Sequence, residues 1–406
     1  MRVFNTLTMR KEDLPSPGEI KVFVCGPTVY DYAHLGHART YLAVDVMTRY
    51  LRYRGYRPYV LMNITDIDER IVEKSKETGR GTREIASEFE KLFLEDMKAL
   101  GIETIDRYER ATDHVPEIIK QVEQLISTGY AYETETGIYF DISKSASYGQ
   151  LSKQSKADLK LRRLELCSTK HHPEDFSLWR KFNEDPLWDS PWGMGRPGWH
   201  IEDTAISMKH LGSSYDIHAG GVELVFPHHE AEIAQGEALS GKKPFVNYWI
   251  HTGMLNVGGL KMSKSLGNVT RVRDALATYT PEELRFFFAN THYRRTANFC
   301  KTRLLRSRRA LGSMRETVRQ LESCSSGKTA GRSDLRLLRD LSRVEAGFKA
   351  AMDEDFDTAK ALKCLSSFLQ GVRSEIGSRR KLAPSTCEMA VKRISALSNI
   401  IGVLAV

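Results

Sequence analysis

Apolar and polar positions alternate with a changing period along this chain, and each change predicts a different element. Over residues 20–65, the apolar run EIKVFVC is followed by HARTYLAVDVMTRYLRYRGY, with apolar residues at helical spacing, and then by RPYVLMNIT. Two such runs around an amphipathic helix predict a βαβ unit, hence a parallel sheet with a right-handed crossover. TREIASEFEKLFLEDMKAL and HVPEIIKQVEQLIST predict two more helices. From about 130 to 197 the texture shifts to short strands, basic loops and tryptophan-punctuated turns, as in SLWRKFNEDPLWDSPWGMGRPGW, which predicts an insertion into the sheet domain.

The α/β pattern returns at 198 with WHIEDTAISMKHLG, YDIHAGG, the helix HHEAEIAQGEAL and the strand-like VNYWIHTGMLNV. Beyond the lysine-bearing loop that follows, everything reads as helical to the end. Long amphipathic segments lie near 298–323, 333–352, 357–376 and 385–402, with SSGKTAGRSD the one linker-like interruption. The expected fold class is therefore α/β: a doubly wound, Rossmann-type parallel sheet with a connective insertion and a C-terminal helical bundle. The expected divisions are 1–128 and 198–260 for the two halves of the sheet domain and 129–197 for the insertion. Residues 261–297 form a loop region and 298–406 the bundle.

Composition narrows this only a little. The 406 residues are 41% hydrophobic and 28% charged, as in ordinary globular proteins, with no apolar run long enough to span a bilayer and no apolar signal core at MRVFNTLTMRKEDL. These observations lead to the expectation of a cytoplasmic protein. The six cysteines, Cys25, Cys167, Cys300, Cys324, Cys364 and Cys387, are scattered without a CxxC pair and read as reduced thiols. Charge adds more. Residues 266–406 hold 26 Lys and Arg against 14 Asp and Glu, whereas the first 265 hold 34 against 38. That split fits a catalytic body joined to a module that meets a polyanion, or else a solvated, arginine-rich bundle.

Three motifs carry chemistry. In His34-Leu35-Gly36-His37, two imidazoles stand where a helix begins; unpaired N–H groups and the helix dipole attract phosphate there, and Gly36 lets a planar ring approach the backbone. Imidazoles so placed donate to a phosphate whose charge builds as pyrophosphate departs. Lys261-Met262-Ser263-Lys264-Ser265, preceded by Gly-Gly, is a loop suited to closing over a triphosphate. Third, His228 and Glu232 lie four apart on one helical face, with Cys25 at the carboxyl end of the first strand, a combination suited to zinc. His218, His229 and Glu230 compete for the same role.

With these residues in view the sequence resembles class I aminoacyl-tRNA synthetases and, among them, cysteinyl-tRNA synthetases. The resemblance runs in order through CGPTVYDYAHLGHART, NITDID, DSPWGMGRPGWHIE, YDIHAGG, FPHHEAEIAQ, KMSKSLGN, HYRR and MDEDFDTAKAL. It implies one zinc per chain at the floor of the amino-acid pocket, where the family's metal binds the substrate thiolate, and Mg2+ accompanying ATP. Cys25, His228 and Glu232 match three zinc ligands. The fourth position is usually a cysteine in a WHIEC context; here it is Asp203, which either ligates through a carboxylate oxygen or caps the helix starting there. The resemblance further implies Pro27, His34, Gly36, His37, Gly220 and Lys264 at the ATP, with His34, His37, Lys261 and Lys264 catalytic and Thr65 and Trp199 beside the amino acid.

The activity so implied is activation of L-cysteine by ATP and transfer to the 3′ end of tRNA(Cys), by a monomer with no membrane partner. No insertion of editing-domain size is present, and a metal that prefers thiolate separates cysteine from serine without editing. Family members usually continue past the bundle into a small module that reads the anticodon, whereas this sequence stops at Val406, and the basic stretch CKTRLLRSRRALGSMRETVRQL remains to grip a tRNA stem. A second reading stays open: a ligase using the same activation to acylate a small amine, as in the mycothiol-pathway relatives of this family.

Overall fold

The computed structural model describes residues 1–154, 169–263, 266–325, 334–377 and 382–404. Its centre is a five-stranded parallel sheet of β1 (Glu19–Val24), β2 (Arg57–Ile64), β3 (Arg107–Arg110), β4 (Tyr215–Gly221) and β5 (Val246–Thr252), in spatial order β5-β4-β1-β2-β3. The order reverses at β1, and in a doubly wound sheet ligands bind outside the carboxyl ends of the strands at that point. Inner strands are nearly continuous in Val, Ile, Leu and Met because helices cover both faces. The edge strand β3 reads RYER, its charges facing solvent or ion-pair partners.

Helix α1 (Leu35–Tyr53) crosses from β1 to β2 as the sequence predicts. Helices Glu69–Thr78, Thr82–Ala99 and Val115–Ser127 follow, the first of them not anticipated. The inserted region is a four-stranded antiparallel sheet of Ala131–Glu133, Gly137–Phe140, Phe176–Lys181 and Gly195–Pro197. The chain then returns through α2 (Trp199–Leu211) to β4, and through α3 (Glu230–Ser240) to β5.

Not everything beyond the lysine-bearing loop is helical. Ala297–Phe299 forms a short strand that pairs in parallel with Leu255–Val257, and three residues are too few to show a period of two. Past it come α5 (Lys301–Ser325), α6 (Leu335–Asp353), α7 (Thr358–Gly377) and α8 (Pro384–Ile401), preceded by α4 (Pro281–Ala289). Among the described residues no helix is long and apolar enough to cross a membrane.

One hydrophobic core runs from the sheet into the bundle, joining Val24 and Leu42 to Phe286, Leu304 and Ile401. At that junction Arg285 of α4 is buried against Asp45 of α1, and its remaining N–H groups donate to the carbonyls of Ile401, Leu100 and Gly101 at 2.9–3.2 Å. Arg49 adds a second cation 2.8 Å from Asp45. Removing one partner of a buried pair strands the other's charge, so Asp45→Ala is expected to cost about 3–5 kcal/mol. A urea melt measures it at unchanged slope; a loss under about 1 kcal/mol would remove the pair from any role in docking the bundle.

Candidate functional site

At the carboxyl ends of β1 and β4 a cleft of about 280 Å³ opens. His34, Gly36, His37, Pro27, Cys25 and Trp199 all line it, so the phosphate motif and the thiol face one space. His34 is the N-cap of α1: its Nδ1 accepts from the His37 N–H at 3.2 Å, and His37 Nδ1 accepts from the His34 N–H at 3.4 Å. Both Nδ1 atoms act as acceptors, so each neutral ring carries its proton on Nε2. The two rings stack with centroids 3.7 Å apart and present their Nε2 edges as donors at a helix N-terminus.

The lysine-bearing loop meets this turn. A Cβ on Gly36 would lie 3.0 Å from Met262 Cε, so glycine is what allows Met262 to rest there. The Leu35 N–H donates to the Thr270 carbonyl at 3.0 Å and the Val272 N–H to the Ala33 carbonyl at 2.9 Å, tying the segment after the loop to the start of α1. Asn268 closes the loop, accepting from the Ser263 N–H at 2.8 Å and donating to the Lys261 carbonyl at 3.1 Å. Lys261 is exposed and does not line the cleft; Lys264 lies outside the described residues.

Thr65 follows β2 and is buried, its backbone exchanging hydrogen bonds with Pro27 and Val29 at 3.0–3.1 Å, while its hydroxyl accepts from Asn63 at 3.3 Å. Gly220 is the penultimate residue of β4, where a Cβ would come within 2.7 Å of the His229 ring. Trp199, the first residue of α2, stacks on His228 with centroids 4.1 Å apart.

Beneath the cleft lies a buried cluster. His228 and His229 follow a kink at Phe226, whose backbone is extended, and lead directly into α3, so His228 and Glu232 share a face across the junction. Asp203 does not cap its helix: α2 starts at Trp199 behind Gly198, and Asp203 sits inside it, fully buried. Its Oδ1 accepts from Asn63 at 2.7 Å and its Oδ2 lies 3.1 Å from His228 Nε2, which is also 3.1 Å from Glu232 Oε1. Cys25, His228 and His229 have their ligand atoms within 4.8 Å of one another, and so do Asp203, His228 and Glu232. Glu230, by contrast, accepts from the Leu151 and Ser152 N–H groups and is occupied.

This cluster has the chemistry of a cation site. One Nε2–H cannot serve two carboxylates, and neither Glu232 oxygen finds a hydrogen-bond partner among the described residues. Burial, then Asp203, pushes the Glu232 carboxyl up. Burial, then Asp203 and Glu232, pushes the Cys25 thiol up. Thiol, imidazole and two carboxylates crowded in a dry site are what a divalent ion relieves, holding the acids deprotonated. The residues present fit zinc.

Three further residues, which the motif chemistry does not single out, order this cluster. His200 Nδ1 lies 2.8 Å from His228 Nδ1, turning Nε2 of His228 toward the carboxylates, the orienting bond common behind zinc-bound imidazoles. Asn63 bridges Asp203, Thr65 and the Gly26 N–H. His251 holds His229 Nδ1 at 2.8 Å. His200 and Asn63 stand inside quoted motifs, GWHIE and NITDID, but nothing in their spacing reveals their partners.

Comparison with known proteins bears on this geometry. A family profile described as "tRNA synthetases class I (C) catalytic domain" matches residues 12–309. The cysteine–tRNA ligase of Thermococcus onnurineus is 43% identical, covering 99% of this chain and 86% of the relative. That of Thermoplasma acidophilum is 45% identical over 93% and 83%. Among solved structures, the methionyl-tRNA synthetase of Mycobacterium tuberculosis bound by methionyl-adenylate superposes with a TM-score of 0.70 at 15% identity, covering 95% of this chain and 90% of that one. At that identity the likeness shows the fold alone.

Proposed function

The chain belongs to the cysteinyl-tRNA synthetase family of class I, and from that premise we propose that its cleft joins L-cysteine to tRNA in two steps at the expense of ATP. In the first, the cysteine carboxylate attacks the α-phosphate of ATP and pyrophosphate leaves. In the second, a ribose hydroxyl at the 3′ end of the tRNA attacks the carbonyl of cysteinyl adenylate and AMP leaves. The observation that carries the reading is the meeting, in one cleft, of paired imidazole donors at a helix N-terminus with a buried thiol-bearing cluster.

His34 and His37 donate through Nε2 to the phosphate as its charge grows, and the N-terminus of α1 adds to their field. The family resemblance assigns Lys264 to the same phosphates, with Lys261 at the base of the loop whose Met262 rests on Gly36, and Mg2+ accompanies the triphosphate. Trp199 and Thr65 wall the amino acid between the cluster and the ATP. Cys25, Asp203, His228 and Glu232 hold zinc, with His200 and Asn63 fixing two of them. When bound, zinc supplies a soft position that favours a thiolate over a hydroxyl.

Exposed Arg303, Arg306 and Arg309, three apart on α5, supply a cationic stripe for the tRNA backbone. Arg308 does not contribute to it, being paired bidentately with Glu283 at 2.6 and 2.9 Å. Replacing the three by alanine is expected to weaken tRNA binding and make its salt dependence shallower, as measured by filter binding across a KCl series; an unchanged slope would move the RNA face elsewhere.

Pyrophosphate exchange tests the first step. Exchange that requires cysteine, and that serine does not support, is the expected result; exchange without any amino acid, or none at all, would sink the reading.

A further inference from the structure

A second group of metal-ligating side chains lies where the edge strand β3 meets the C-terminal end of α2. Glu109 belongs to β3, His114 ends the 3-10 turn Ala111–His114 that follows it, and His210 stands in the last turn of α2. His114 Nδ1 is 2.8 Å from the Arg110 carbonyl, a contact only an N–H can make, so the lone pair of the neutral ring is on Nε2. That lone pair faces His210 Nε2 at 3.1 Å and Glu109 Oε2 at 3.5 Å, while Glu109 Oε1 is 3.6 Å from His210 Nε2.

The size of this triangle is informative. Nitrogen and oxygen ligands at their usual distance from a tetrahedral zinc stand about 3.3 Å apart; the two imidazole nitrogens at 3.1 Å and the Glu109 Oε2–His114 pair at 3.5 Å bracket that value, and one ligand atom from each of the three residues lies within 4.8 Å of the others. Two imidazoles and a carboxylate are a zinc-type donor set, and a backbone carbonyl on the far nitrogen of His114 orients it as zinc-bound imidazoles are oriented. His114 and Glu109 are buried, whereas the His210 side chain is 13% exposed, so the group reaches the surface through that residue. Arg107 also pairs with Glu109, on Oε1, which leaves Oε2 turned to His114. Lys209 is held by Glu117 at 2.6 Å and does not enter.

We propose that Glu109, His114 and His210 form a second zinc site, which pins the edge strand to α2 and leaves one coordination position for solvent. The role is structural: the opposite end of α2 carries Trp199, His200 and Asp203, so the site stiffens the helix on which the cleft's cluster is built. It is independent of the reading of that cleft.

The test compares the full-length protein with His210→Gln and with Glu109→Gln, each stripped by chelator, dialysed against zinc and measured for bound metal. The wild type is expected to retain one zinc equivalent more than either variant, and zinc is expected to raise its melting temperature by more than theirs. Loading with Co2+ should give a wild-type minus variant spectrum without thiolate-to-metal charge transfer, since no cysteine is in the group. Both variants should still activate cysteine, which shows that the cleft remains folded. Because all three proteins share the Cys25 cluster, its occupancy cancels in the comparison. Equal zinc content in wild type and variants, or a difference spectrum with a thiolate band, would overturn the site and leave a His–His–Glu hydrogen-bond cluster in its place.

Discussion

His34→Asn is expected to lower the rate of cysteine-dependent adenylate formation by about 10²–10³-fold, the usual cost of one charge-stabilising donor, while leaving the melting temperature near that of the parent. Asparagine is among the best N-cap residues, and its Oδ1 takes over the bond that His34 Nδ1 accepts from the His37 N–H, so α1 keeps its start. What disappears is the Nε2–H donor. The effect should fall on kcat in pyrophosphate exchange more than on the KM for ATP, as expected for an interaction that strengthens in the transition state. If the rate instead follows stability, with Asn behaving like the parent in both, then His34 is only a cap.

Cys25→Ser is expected to have its largest effect on selection. The side chain keeps its shape and position at the end of β1, but the softest donor of the buried cluster becomes a hydroxyl. Bound zinc should fall, and the ratio of kcat/KM for cysteine over serine should collapse toward the roughly 10² or less that a pocket reaches against a near-isostere without a polar discriminator. Exchange kinetics with each amino acid, run beside metal analysis of the same preparation, measure both. A variant that loses its zinc yet still rejects serine as well as the parent would separate selection from the metal cluster.

How much of this was legible beforehand depends on how local the signal is. β1, α1 and β2 follow from consecutive apolar runs and one amphipathic repeat, and the four bundle helices fall within three residues of their expected ends because long helices carry many turns of period. The edge strand β3, reading RYER, has no apolar period at all, and the hairpin of Arg2–Asn5 with Arg10–Asp13 is built of strands only four residues long, too short to show one. His34, His37, Cys25, His228 and Glu232 stood out by spacing and residue type. Asp203 was the ambiguous position, and only the tertiary contacts with Asn63 and His228 turn its carboxylate inward. His200 and the Glu109–His114–His210 group involve partners 28 or nearly 100 positions apart, beyond what any local pattern registers.

The central claim is that this cleft hands activated cysteine to tRNA, and the most direct measurement is transfer of labelled cysteine, in the presence of ATP and competing serine, to total tRNA. Acid-precipitable label that resists excess serine and depends on ATP is the result the structure and the family predict. Adenylate that forms without any charging of tRNA, and is consumed instead when a small amine is supplied, would contradict it.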